Sequence, residues 1–289
     1  MNSDDLLLDY NIFQENLKLF KLMSNVPIDD FSTALTLLSN PKYSTIALKR
    51  VKKYQTLLKN INETQMSKKD KENWSYYVLN SFSKLITCIL YADKNPYCKQ
   101  VNSLQLLHGK IGKVLFYPHY DSYMSILTIL ASNKVKLTVL MDKEFLPFWN
   151  DILSKNEFGK YIKLHGIQNS NSMIEILRDL KSGYNLVMYP DFTLGKKPQL
   201  TTNFLGKEAY VPTGPVRIAK KLKTDLIPLK MIYPKNQLLP YIILDKKIDL
   251  NQSTEVAAIE MMNNMESIIS KDVSKWWGWE VYEEKILAL

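Results

Sequence analysis

The sequence predicts an α/β protein preceded by an α-helical layer, and three observations lead there. From Lys113 onward, short apolar runs alternate with amphipathic stretches, the pattern of strands joined by helices. Before that point, apolar residues recur at helical steps, as in Leu6, Tyr10, Phe13, Leu17 and Phe20. The 289 residues, 46% hydrophobic and 23% charged, have the composition of a folded soluble chain with a sizeable core.

In chain order, helices are expected at about 6–23, 29–39, 43–63 and 68–93. The last places Trp74, Tyr77, Val78, Phe82, Leu85, Ile86 and Ile89 on one face, a core stripe, while Lys68, Lys69 and Lys71 at its start face solvent. Pro96 closes this layer, and no Gly-rich linker follows it, so residues 1–100 and the α/β region 101–289 are expected to form one compact unit. Strands are expected at 113–117, 136–141, 161–165, 185–189, 225–233 and 239–245, with helices near 122–132, 143–155, 171–182, 212–222 and 253–270. The Met-rich A-I-E-M-M-N-N-M-E stretch reads as helix packing. There is no internal repeat and no low-complexity segment.

The formal net charge is +9, from 38 Lys and Arg against 29 Asp and Glu. Only Arg50, Arg178 and Arg217 are arginines, which argues against nucleic-acid binding, where Arg supplies the bidentate contacts. A Lys-dominated excess suits an acidic protein partner or an anionic membrane surface. Cys88 and Cys98 lack a second pair and any metal-ligand spacing, so reduced thiols and no metal are expected. The N-terminus M-N-S-D-D-L-L-L-D-Y is acidic with a three-residue apolar run, unlike a signal peptide. No window approaches the roughly 18 uninterrupted apolar residues of a membrane span. A cytoplasmic protein, peripheral to the inner membrane at most, is the expectation.

Two stretches share a design that bears on chemistry. In V-L-F-Y-P-H-Y-D-S-Y-M, an apolar strand is closed by Pro118, and His119 follows at a strand-to-helix turn where Asp121 or Ser122 can cap the next helix. Such turns lie at the carboxyl edge of a sheet, where ligands bind. A lone loop histidine is usually a solvated residue, but N-L-V-M-Y-P-D-F-T-L-G at Asn185–Gly195 repeats the plan, with Asp191 after its proline. If the two strands are neighbours, carboxylate and imidazole emerge together. Further on, N-F-L-G at Asn203–Gly206 precedes V-P-T-G-P-V-R-I-A, where Thr213 can cap a helix beginning at Gly214 and Pro215. His108 and His165 each precede a glycine and read as structural or solvated.

The Y-P-D, F-L-G and T-G-P-V-R-I-A-K elements between Gly183 and Tyr233, the upstream P-H-Y-D-S-Y and the tail K-W-W-G-W-E together resemble the lipid A late acyltransferases of the lysophospholipid acyltransferase superfamily. Their order and spacing over roughly residues 100–282 carry the resemblance. It implies a glycerolipid acyltransferase-like mixed sheet flanked by helices. It also implies transfer of an acyl group from an acyl carrier protein or coenzyme A thioester to a hydroxyl or amine, with no further cofactor. His119 would be the general base, with Asp121 and Asp191 as candidate carboxylate partners and Asp191 in the substrate-binding block. Tyr123, Phe204, Gly206, Thr213, Gly214 and Arg217 would contact substrate, and backbone amides or a nearby cation would hold the oxyanion.

Two departures stand out. The family's acidic residue five positions after the histidine is Met124 here, and the usual N-terminal membrane helix is not evident. The leading expectation is therefore an acyltransferase with a soluble or carrier-bound acceptor in specialised-metabolite or lipid biosynthesis. The alternatives are a peripheral lipid A type enzyme and a non-catalytic acyl or carrier binder.

Overall fold

Six apolar segments pair into one sheet in the computed structural model, which describes residues 101–167, 171–191, 199–233, 240–282 and 286–288, with Ser67, Ser81, Lys84, Leu85, Cys88 and Ile89. The strands are β1 (Val114–Phe116), β2 (Leu137–Met141), β3 (Ile162–Gly166), β4 (Asn185–Met188), β7 (Leu226–Ile232) and β8 (Tyr241–Leu244). Their order is β3-β2-β4-β1-β7-β8, parallel throughout except for the antiparallel β7–β8 pair. These six lie where the sequence pattern put strands. A separate antiparallel hairpin, β5 (Thr201–Phe204) and β6 (Lys207–Tyr210), was not anticipated. Its two turn residues, Leu205 and Gly206, have φ of 52° and 79°, the left-handed pair that a tight hairpin needs.

Alternation along the central strand divides the core in two. Val114 and Phe116 face one layer, built from α3 (Ser172–Lys181), α4 (Gly214–Leu222), α5 (Thr254–Ile269) and the tryptophan tail. Leu115 and Tyr117 face the other, built from α1 (Ser125–Ser132) and α2 (Leu146–Ser154) together with Leu85, Cys88 and Ile89. Because helices cover both faces, β1 is buried at every position and reads as a continuous apolar run. Ser81, Lys84, Leu85, Cys88 and Ile89 are helical, as the 68–93 reading requires. The expected helices before residue 67 and the Trp74 and Tyr77 positions lie outside the described residues.

The amino edge of the sheet is pinned by Asn185. Its Oδ1 accepts the Lys113 N–H at 2.9 Å, and its amide donates to the carbonyls of Leu107 and Lys136 at 2.9 and 3.1 Å. Gly112 passes so close to this edge that a Cβ there would stand 1.7 Å from the Tyr184 oxygen. With β1, β2 and β4 locked at this end, the register at the opposite edge follows. α4 returns through three residues to β7 and packs on β1 and β7, so its amino end points to the carboxyl edge.

His165 is not merely solvated: its Nδ1 meets Glu175 at 2.9 Å and its Nε2 meets Asp179 at 2.8 Å, tying β3 to α3. Asp179 also accepts from Lys163 at 2.5 Å and Thr138 at 3.1 Å. Burial opposes its ionisation, but the bonds from Lys163, His165 and Thr138 outweigh burial and hold the carboxyl below its ordinary value.

Candidate active site

β1 and β4 pair in parallel with Phe116 opposite Met188, and each chain then runs through a proline to its polar residue three positions on. Equal steps from a shared register bring His119 and Asp191 together. Asp191 has no exposed surface. Its Oδ2 accepts the His119 backbone N–H at 2.8 Å and the Trp276 indole N–H at 2.7 Å, and its Oδ1 meets His119 Nδ1 at 2.5 Å. A carboxylate stripped of water needs such donors to replace its hydration. With Nδ1–H donating to Asp191, the neutral imidazole carries its lone pair on Nε2.

The tryptophan tail holds the histidine loop from outside. Trp277 donates its N–H to the His119 carbonyl at 2.8 Å, and Asp121 donates to the Lys275 carbonyl at 2.9 Å. Tyr120 and Trp276 form an antiparallel bridge between these bonds, so the tail lies along the loop like a short added strand. Trp277 also donates its indole N–H to the Asp121 carbonyl at 2.9 Å. The fully buried Trp276 ring is wedged edge-on against Phe204, Trp279 and Tyr282, at 5.6, 5.0 and 5.8 Å between centroids. Gly278 makes this possible: a Cβ there would stand 2.2 Å from the Trp276 ring.

Aromatic rings wall the imidazole itself. Tyr123 stands edge-to-face at 4.8 Å and Tyr189 tilted at 5.2 Å, while Tyr189 donates its hydroxyl to the Tyr123 carbonyl at 3.2 Å. Burial, and then the neighbouring Tyr123, push the Tyr189 phenol well up, so it stays neutral through the physiological range. The His119 side chain keeps 17% of its surface open.

The other residues singled out from sequence fall in different places. Asp121 neither caps α1 nor bonds the imidazole; both its oxygens take the Lys84 ammonium, at 2.8 and 2.9 Å, and one takes the Ser81 hydroxyl at 3.3 Å. Ser122 does not cap α1 through its side chain either, because its hydroxyl bonds Tyr233. Met124 occupies the cap position of α1 and packs partly buried on the core. Phe204 is fully buried beneath Trp276 and presents no surface to a ligand. Gly206 is an exposed hairpin turn. Thr213 makes no side-chain cap bond, Gly214 opens α4 from an exposed position, and Arg217 is exposed on α4. Trp276 as a partner of Asp191 was not anticipated; the one available signal was that a buried indole N–H must find an acceptor.

An imidazole oriented by a buried carboxylate at the carboxyl edge of an α/β sheet can accept a proton at Nε2, the equipment of an enzyme that activates a nucleophile. The chain belongs to the bacterial lipid A biosynthesis acyltransferase family, whose model matches residues 100–279, more than half its length. That span holds His119, Asp191 and Trp276, and it places the protein among acyltransferases of lipid biosynthesis. No curated protein matches the chain significantly. Among the described residues, no helix is long and apolar enough to cross a membrane.

Proposed function

We propose that the protein moves an acyl group from a carrier-protein or coenzyme A thioester to a hydroxyl or amine acceptor, with His119 as general base. The 2.5 Å pairing of His119 with the buried Asp191 carries this reading. Nε2 takes the acceptor's proton as its oxygen or nitrogen attacks the thioester carbonyl. The tetrahedral intermediate collapses by breaking the carbon–sulfur bond, and the imidazolium returns the proton to the departing thiolate. The Asp191 carboxylate keeps the ring in the Nδ1–H tautomer and stabilises the imidazolium. The amino end of α4, at the same sheet edge, adds a partial positive charge toward the oxyanion.

A non-catalytic binder is the alternative, because Met124 supplies no carboxylate; Asp191, three residues past β4, supplies one instead, which favours chemistry. The acceptor is a soluble or carrier-bound molecule in specialised-metabolite or lipid biosynthesis, with a membrane lipid of the lipid A type as the alternative. The work would be done in the cytoplasm, where acyl thioesters are made, by a protein peripheral to the inner membrane. The test is thiol release and acceptor acylation with acyl carrier protein and coenzyme A thioesters, monitored by intact mass. His119→Ala should lose roughly 10² to 10⁴ in rate, since general-base removal costs that much, with thermal melting to check that the variant is folded although Asp191 loses one of its donors. Wild-type turnover in that variant overturns the assignment.

A further inference from the structure

Lys84 lies outside the span matched by the family model, yet its ammonium reaches the histidine loop. Asp121, two residues beyond His119, has φ of 51°, a left-handed backbone that is uncommon outside glycine although Asp adopts it more readily than most residues. Two tethers act on its backbone, the Lys275 carbonyl and the Trp277 indole, and any residue could satisfy them. The third acts on its side chain: Lys84 holds both carboxylate oxygens, with Ser81 beside it. The same ammonium stands 4.1 Å over the Tyr233 ring, whose hydroxyl bonds Ser122, so one cation braces two successive residues after the imidazole.

An aspartate just ahead of a helix ordinarily turns its carboxylate to the free amides of the first turn. Here α1 begins at Ser125 with Met124 at its cap position, and the Asp121 carboxylate is turned toward Lys84 instead. Asp121 lies two residues beyond the His119 N–H bonded to Asp191 and the His119 carbonyl bonded to Trp277, so a displacement of Asp121 bears on both bonds.

We infer that Lys84 is a positioning residue for His119, acting through the Asp121 carboxylate that it holds; the catalytic half of the inference rests on the general-base reading above. The experiment compares wild type with Lys84→Met and Lys84→Arg by proton NMR, acyl-transfer kinetics and thermal melting. Only three histidines are present, so the His119 Nδ1 proton is identified as the downfield signal that His119→Ala lacks. Lys84→Met should lose or broaden that signal and lower kcat by about 10²-fold, the scale of an ångström's misplacement, with donor KM changed by no more than about twofold. Lys84→Arg should restore both. Should Lys84→Met fail to fold, Asp121→Asn, of the same size, carries the same readouts. An unchanged Nδ1 signal and kcat in a folded Lys84→Met protein, melting lower or not, overturns the inference. If wild type itself transfers no acyl group, the general-base reading fails, while the NMR comparison still decides whether Lys84 positions the ring.

Discussion

Asp191→Asn is the most informative single change, because the two oxygens of Asp191 do different work. Oδ2 receives two N–H groups that cannot be switched off, from the His119 backbone and the Trp276 indole. The one carbonyl oxygen of an asparagine must therefore stand there. Its NH₂ then occupies the position of Oδ1, 2.5 Å from Nδ1 in the wild type, and two donors would face each other unless the imidazole moves its proton. The ring shifts to the Nε2–H tautomer, and the nitrogen that should accept the acceptor's proton already carries one. The loss combines the wrong tautomer with a missing countercharge for the imidazolium, a combination that lowers kcat by about 10⁴, or about 5.4 kcal/mol at 1.36 kcal/mol per decade. Shape and burial are nearly conserved, so the unfolding midpoint should move little beside the rate. Nitrogen-15 spectra of the ring should report the proton on Nε2, and single-turnover acylation should report the rate. A variant within about tenfold of wild type, or one retaining the Nδ1–H tautomer, refutes the reasoning.

Gly278→Ala should destabilise the fold by about 3 kcal/mol in a urea titration, since the new methyl meets the Trp276 ring and that ring is held by its bond to Asp191. An unchanged midpoint means the indole is free to move. The Asp179 carboxyl is lowered in the folded state, so its contribution to stability is complete above the unfolded carboxyl value of about 3.9 and lost as pH falls through the folded one. Wild type should accordingly exceed Asp179→Asn in urea by a constant margin near pH 5 that closes below about pH 4; a margin independent of pH contradicts the ion-pair account. If an acidic acyl carrier protein docks on the lysine excess, kcat/KM should fall as salt shortens the screening length to about 8 Å and below, whereas salt indifference points to an apolar donor contact.

The sheet was legible from sequence because burial on both faces leaves little but apolar residues in strands such as Val114–Phe116. The pairing of His119 with Asp191 was legible for the same reason, through two strand-proline-polar segments of equal length. What escaped was decided by distant partners. Asp121 and Ser122 look like caps by local rules, but Lys84 and Tyr233 outbid the helix for their side chains. Phe204 and Gly206 sit in a motif that looks substrate-facing, yet the phenyl ring is sealed under Trp276 and the glycine serves a turn. The hairpin itself escaped because Thr201–Phe204 is half-exposed and polar, with no apolar run to announce it.

The bond between the Trp276 indole and Asp191 spans 85 residues of chain, and the one between the Trp277 indole and the Asp121 carbonyl spans 156. During synthesis at about 5–20 residues per second, Asp191 leaves the ribosome roughly 4–17 s ahead of the indole that completes its donor set. Over that interval the residues of β1 and β4 are already made, while the carboxylate beside His119 still lacks one of its donors. A polypeptide released before Lys275 carries every strand of the sheet but neither indole that bonds the histidine loop and its carboxylate.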